Sequence, residues 1–191
     1  MRRLVAAVLG TLLVVVLAMT LPATADPTSL GDGNDAGGRL DVQTLRFDPD
    51  TRPVTWRFVT FARWTPHQIW DDGFLIVQLD TKGNEGIDYL AVVGSDGRDL
   101  VGTLFRVRSD GRQVEIGSIG ADKDGPRAAR VSLALHRLSF GPNRTTYLWS
   151  ALTSFTGHGC ERPCFDVVPD AGMVEQPLPG TSPSPSPSPS G

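Results

Sequence analysis

Cys160 and Cys164 are the chain's two cysteines, and they follow the Gly-rich stretch Thr156-Gly157-His158-Gly159. In an oxidising compartment such a pair closes a small disulfide ring. A redox pair takes C-x-x-C spacing instead. A zinc site built on the two thiolates and His158 lacks an obvious fourth ligand. The second constellation is the acidic loop Asp80-Thr81-Lys82-Gly83-Asn84-Glu85-Gly86-Ile87-Asp88. Asp80, Asn84 and Asp88 are its candidate ligands for a structural Ca²⁺, a hard cation that takes about six to eight oxygens. An EF-hand is excluded, because Lys82 occupies a ligand position and Glu85 stands where that loop needs glycine. A plain solvated hairpin loop uses the same residue types. The third constellation is aromatic. Trp56 and Trp149 fall within strand-like runs and suit a core, whereas Trp64 and Trp70 flank a short helical segment. Trp64 and Trp70 are therefore the candidate ligand-binding pair, able to stack on a sugar ring. The residues give catalysis little support. His67, His136 and His158 are scattered, Asp71 and Asp72 point apart in extended chain, and no G-x-S-x-G elbow occurs.

These residues need elements to hold them. Between positions 38 and 172 the dominant period is two, the signature of strands. In Val54 to Trp64 one face carries Val54, Trp56, Phe58, Ala62 and Trp64. Phe74 to Leu79 is an apolar run broken by Gln78 alone, as expected for a strand buried on both sides. Leu40 to Phe47, Tyr89 to Val93, Leu100 to Val107, Val114 to Ile119, Val131 to Leu138 and Tyr147 to Phe155 complete the expected strands. Ser95-Asp96-Gly97-Arg98 and Ser109-Asp110-Gly111-Arg112 carry the Asp-Gly pairs of tight hairpin turns. Residues 89–119 therefore read as a three-stranded meander. Thr65-Pro66-His67-Gln68 predicts one short helix, with a Thr cap, Pro at the first position and Gln as capping-box partner. The whole predicts an all-β, antiparallel β-sandwich, jelly-roll-like or DOMON-like in outline, with one short helix.

The ends read differently. Arg2 and Arg3, the apolar stretch Leu4 to Leu21 and Ala23-Thr24-Ala25 form a signal peptide over 1–25. Residues 26–37 read as a flexible lead, 38–174 as the sandwich domain and 175–191 as a Pro/Ser-rich disordered tail of polyproline type. The 191 residues carry 18 Lys plus Arg against 21 Asp plus Glu, a net charge of −3. That balance argues against a nucleic-acid partner. It also leaves the chain off the membrane once the signal is cut.

Three segments carry a resemblance: Asp35-Ala36-Gly37-Gly38-Arg39-Leu40-Asp41-Val42, Phe61-Ala62-Arg63-Trp64, and Phe74 to Thr81 with Asp88-Tyr89. Tyr147-Leu148-Trp149-Ser150-Ala151 and Cys160 through Asp170 extend it. Together they resemble a group of uncharacterised secreted proteins of high-GC Gram-positive bacteria. The strand ending in Asp80-Thr81, followed by Asp88, is similar to DOMON-like and family 9 carbohydrate-binding β-sandwich modules. The resemblance implies a sandwich that binds a sugar, haem or structural Ca²⁺. Haem ligation in DOMON relatives uses Met and His, and Met173, near the tail, is the one Met after position 25.

The expected protein is a secreted, non-catalytic module for a carbohydrate or cell-wall polymer. Its rivals are an extracellular structural or protein-interaction domain that contacts a cell-surface protein and, behind that, a secreted hydrolase.

Overall fold

Alternation in sequence becomes alternation in burial. In β3 (Val54–Thr60) Val54, Trp56, Phe58 and Thr60 are buried, and the residues between them are half-exposed. The computed structural model describes residues 28–84 and 86–179. The expected signal peptide at 1–25 and the Ser-Pro repeat lie outside the described residues. Around β3 stand β1 (Thr28–Gly31), β2 (Val42–Asp48), β4 (Gly73–Asp80), β5 (Tyr89–Ser95), β6 (Leu100–Val107), β7 (Gln113–Lys123), β8 (Ala128–Leu133), β9 (Thr146–Gly157), β10 (Cys160–Val168) and β11 (Val174–Pro177).

Every strand pairing is antiparallel, and the order is β1-β2-β3-β8-β7-β6-β5-β4-β9-β10, with β11 also on β9. The all-β antiparallel fold is as the periodicity predicts. Its layers are the two halves of one continuous sheet wrapped into a nearly closed barrel. The long strand β7 joins the halves, pairing β6 through its first part and β8 through its last. The expected meander is present as β5, β6 and β7. Its turns place Gly97 and Gly111 at φ of 90° and 79°, which a side chain resists.

Two connections cross between the halves. The first leaves β3 and enters β4 through a 3₁₀ turn at Pro66–Ile69, the predicted short helix. The Thr65 N–H donates to Gln68 Oε1 at 3.0 Å, and Ile69 is buried beneath it. The second runs from β8 to β9 past a 3₁₀ turn at Leu135–Arg137. His136, expected on a strand, is exposed on that turn. The barrel interior is aromatic at its centre. The Phe47, Trp56 and Trp149 rings meet with centroids 4.9, 5.1 and 6.1 Å apart.

The fold is larger than the sequence suggests. The lead at 26–37 contains β1, which pairs β2 from Thr28↔Phe47 to Gly31↔Thr44. The tail expected from 175 contains most of β11, which pairs β9 from Val174↔Trp149 to Pro177↔Thr146. β10 was also missed by the periodicity, because Pro163 and a register shift between Cys160 and Cys164 interrupt its pattern.

Candidate functional site

The outer face of the β10-β9-β4-β5-β6 half bears side chains that a solvated sheet would not choose. Antiparallel sheets ordinarily turn polar residues to water. Here one row runs Phe165↔Ser154↔Phe74 across β10, β9 and β4. The next runs Val167↔Leu152↔Ile76↔Val92↔Thr103. Phe165 is 61% exposed, and Phe74, Val101 and Val167 are exposed on the same face. Phe74 and Phe165 stand two strands apart, about 10 Å.

Trp70 extends this face at the end of β4. It is 48% exposed, and it leans on the β5–β6 turn. A Cβ built on Gly97 would stand 3.1 Å from Trp70 Cδ2 and Cε3. Phe74 leans on Gly94 in the same way, 3.3 Å from such an atom. Both aromatic rings are therefore backed by bare backbone, which fixes them without covering their outer side. Asp71, directly after Trp70, sits at φ 60°, an uncommon setting for a residue with a side chain. His67, with its ring centroid 6.2 Å from that of Trp70, and Asp72 are exposed polar neighbours.

Trp64 does not join it. The expected surface pair is divided, because Trp64 is 2% exposed. Its Nε1–H donates to Thr60 Oγ1 at 3.1 Å, and Lys123 Nζ lies 3.8 Å from its ring centre. Burial lowers the Lys123 pKa. Trp64 is a packing residue, and it continues the inward face of the 54–64 run.

In the acidic loop the two aspartates take the chain's own donors. Asp80 Oδ1 accepts the N–H groups of Lys82 and Gly83 at 3.0 and 2.6 Å. Asp88 Oδ2 accepts from the Thr81 and Lys82 N–H groups, both at 2.9 Å, and shares the Thr81 hydroxyl, at 3.2 Å, with the Ser139 carbonyl at 2.9 Å. Its Oδ1 takes the Lys82 ammonium at 2.6 Å. The positive charge beside Asp88 is thus the chain's own. Among the described residues no three His, Cys, Asp or Glu side chains gather as a metal site. Asp80 and Asp88, two of the three expected Ca²⁺ ligands, close the loop by hydrogen bonds. Burial pushes the Asp88 pKa up, but Lys82 and the N–H donors outweigh it and bring it below the ordinary carboxylate value.

Cys160 and Cys164 form the expected disulfide, with Cα atoms 5.7 Å apart. It pins the start of β10 against the Gly37-Gly38 turn, where a Cβ on Gly38 would stand 2.7 Å from Cys160 Sγ. The loop it closes is short, so its entropic contribution is about 2 kcal/mol. Replacing both cysteines with serine is expected to lower Tm by about 4–8 °C in thermal melts without changing the strand content. No change in Tm would mean the bridge constrains nothing that the fold needs.

One further cluster, unmarked by any motif, lies at the seam where the barrel nearly closes. Here β2 meets β10 by side-chain bonds. The Val42 N–H donates to Asp166 Oδ2 at 2.6 Å, and Thr153 Oγ1 donates to the Leu40 carbonyl at 2.7 Å. Asp166 and Asp41 are buried, and Asp32 approaches Asp166. Asp32 Oδ2 and Asp41 Oδ1 are buried without a donor. Burial, with Asp32 and Asp41 nearby, pushes the Asp166 pKa up to about 7. Asp41 is raised by burial and by Asp35 and Asp32.

The fold and these features define an all-β, antiparallel, barrel-like domain with one disulfide and an open aromatic face. Among the described residues no helix is long and apolar enough to cross a membrane. No protein-family model matches the chain, and neither does any curated protein or solved structure.

Proposed function

We propose that the protein is a secreted, non-catalytic binding module whose aromatic face takes a carbohydrate or cell-wall polymer. The observation that carries this is the platform itself: Trp70 and Phe74 rest on Gly97 and Gly94, with Phe165 two strands away. Flat rings with one free side suit the apolar faces of sugar rings, and about 10 Å is the reach of two linked pyranoses. Export rests on the signal-like residues 1–25, and the disulfide agrees with an oxidising location.

The aliphatic row of Val167, Leu152, Ile76 and Val92 favours a second reading, an extracellular protein-interaction domain.

Trp70 makes the first reading easy to test. Trp56, Trp64 and Trp149 are buried, so a collisional quencher reports Trp70 alone. A bound wall polysaccharide should protect Trp70 from iodide. Replacing Trp70 with alanine should weaken binding about 30-fold with Tm unchanged, the loss typical of a tryptophan anchor. If a glycan panel neither protects Trp70 nor gives heat in calorimetry, the carbohydrate reading fails. A stoichiometric protein captured through Phe165 and Val167 would then put the second in its place.

A further inference from the structure

On the other half of the sheet three arginines stand in register. Arg46 on β2 is opposite Arg57 on β3, and Arg57 is opposite Arg130 on β8. Neighbouring strands are about 4.8 Å apart. Like charges directly opposite one another destabilise a sheet. The chain is acidic overall, with a net charge of −3, so a row of arginines is not a by-product of composition.

The three guanidinium groups share one cleft of about 320 Å³, lined also by Asp48, Thr51 and Thr55. Asp124 offsets part of the charge. One of its oxygens, Oδ2, accepts from Arg57 Nε at 2.6 Å and from Arg130 Nη2 at 3.3 Å. Asp122 stands opposite Arg130 on β7. Arg46 makes no hydrogen bond or ion pair among the described residues, and its donors are free. Counting the lining residues with Asp124 and Asp122, three arginines meet three carboxylates, and Arg46 is the arginine whose side chain has no ion-pair partner among the described residues. Two hydroxyls, Thr51 and Thr55, lie 3.4 Å apart at its side.

We propose that this cleft is an oxyanion-binding site that takes a phosphate or sulfate group. Guanidinium forks match such oxygens two at a time, and they are always charged. A tetrahedral anion offers oxygens in several directions and can meet more than one fork. A bound anion would relieve the repulsion along the row, so the ladder that costs stability when empty becomes favourable when filled. The site uses β2, β3 and β8 and the aromatic face β4, β9 and β10, and neither depends on the other.

Thermal melts and calorimetry of the full chain test this, with inorganic phosphate, inorganic sulfate and a sugar monophosphate. Chloride at matched ionic strength and acetate are the controls. At about ten times the dissociation constant, phosphate or sulfate should raise Tm by about 3–6 °C over chloride. A stronger response to the sugar monophosphate would identify an esterified polymer as the source, and an equal response the free ion. Arg46→Gln, at an exposed position, should abolish the response while its Tm without anion stays the same or rises. Arg98→Gln, on the β5–β6 turn, should keep the full response. The proposal is overturned if phosphate and sulfate act no differently from chloride. It is overturned equally if acetate matches them, or if the response persists in Arg46→Gln.

Discussion

Replacing Asp88 with alanine is expected to lower Tm by about 10 °C, more than any substitution on the exposed faces. The Asp88 carboxylate is buried, and it accepts two backbone N–H groups, the Thr81 hydroxyl and the Lys82 ammonium. Thr81 is fully buried, so water does not replace the lost acceptor at its N–H. The Lys82 ammonium, 42% exposed, returns to water and adds little. Leaving the N–H and O–H donors without their acceptor costs about 3–5 kcal/mol in sum. For a chain of this size that corresponds to about 6–20 °C. Asparagine keeps the shape and one acceptor oxygen, so Asp88→Asn should fall between wild type and alanine. The pH dependence has a definite direction. The folded pKa lies below the ordinary carboxylate value of 3.8. The stabilisation is therefore complete above that value and is lost as pH falls below it. Acid unfolding followed by circular dichroism should begin at higher pH in Asp88→Asn. An alanine variant that melts with wild type would show that the loop closes without this carboxylate.

That loop shows what local pattern can and cannot carry. Asp, Asn and Gly between two strands mark a turn, but they do not say whether the oxygens face a cation or the chain's own N–H groups. Lys82, already counted against an EF-hand, was the informative residue, because a lysine between two acids brings the charge that a cation would bring. Trp64 was legible in the same sense. The period of two puts it on the inward face with Val54, Trp56 and Phe58, and proximity to the 3₁₀ turn is a weaker argument than that register. Strand β6 falls at Leu100–Val107, as the alternation predicts, and the Asp-Gly turns fall where their glycines require. β1, β10 and β11 escaped because each is short, interrupted or at an edge of its pairing, so none has one face steadily buried.

The apolar run Phe74 to Leu79 is the most telling departure. Such a run ordinarily means burial on both faces. In the barrel Leu75, Val77 and Leu79 are buried, while Phe74 is exposed and Ile76 and Gln78 are half-exposed. The sequence thus carries the pattern of a covered strand on a sheet whose outer side is open. Phe165 and Val167, from the same poorly periodic β10, complete that open side, and so the face emerges only when strands distant in sequence are laid together. The Arg46, Arg57 and Arg130 row has the same origin, since each arginine alone looks like an ordinary outward residue.

The seam depends on the longest-range contacts of all, and its behaviour with pH should run opposite to that of Asp88. Asp166 has its pKa raised from 3.8 to about 7 by burial and by Asp32 and Asp41. The folded state therefore favours the protonated carboxyl, which can donate toward Asp32 while its other oxygen keeps the Val42 N–H. This stabilisation is complete below about pH 4 and is lost as pH rises through 7. A shift of this size corresponds to about 4 kcal/mol. Asp35 acts on Asp41 in the same direction, so the seam gathers negative charge from the β1–β2 connection and from β10. Asparagine at 166 mimics the protonated form, with an oxygen for Val42 and an amide to donate toward Asp32. Asp166→Asn should therefore match wild type near pH 4.5 and melt several degrees above it at pH 8. Denaturant titrations across that range measure the difference. A variant that loses stability equally at both pH values would show that the ionised carboxylate, not a shared proton, closes the barrel.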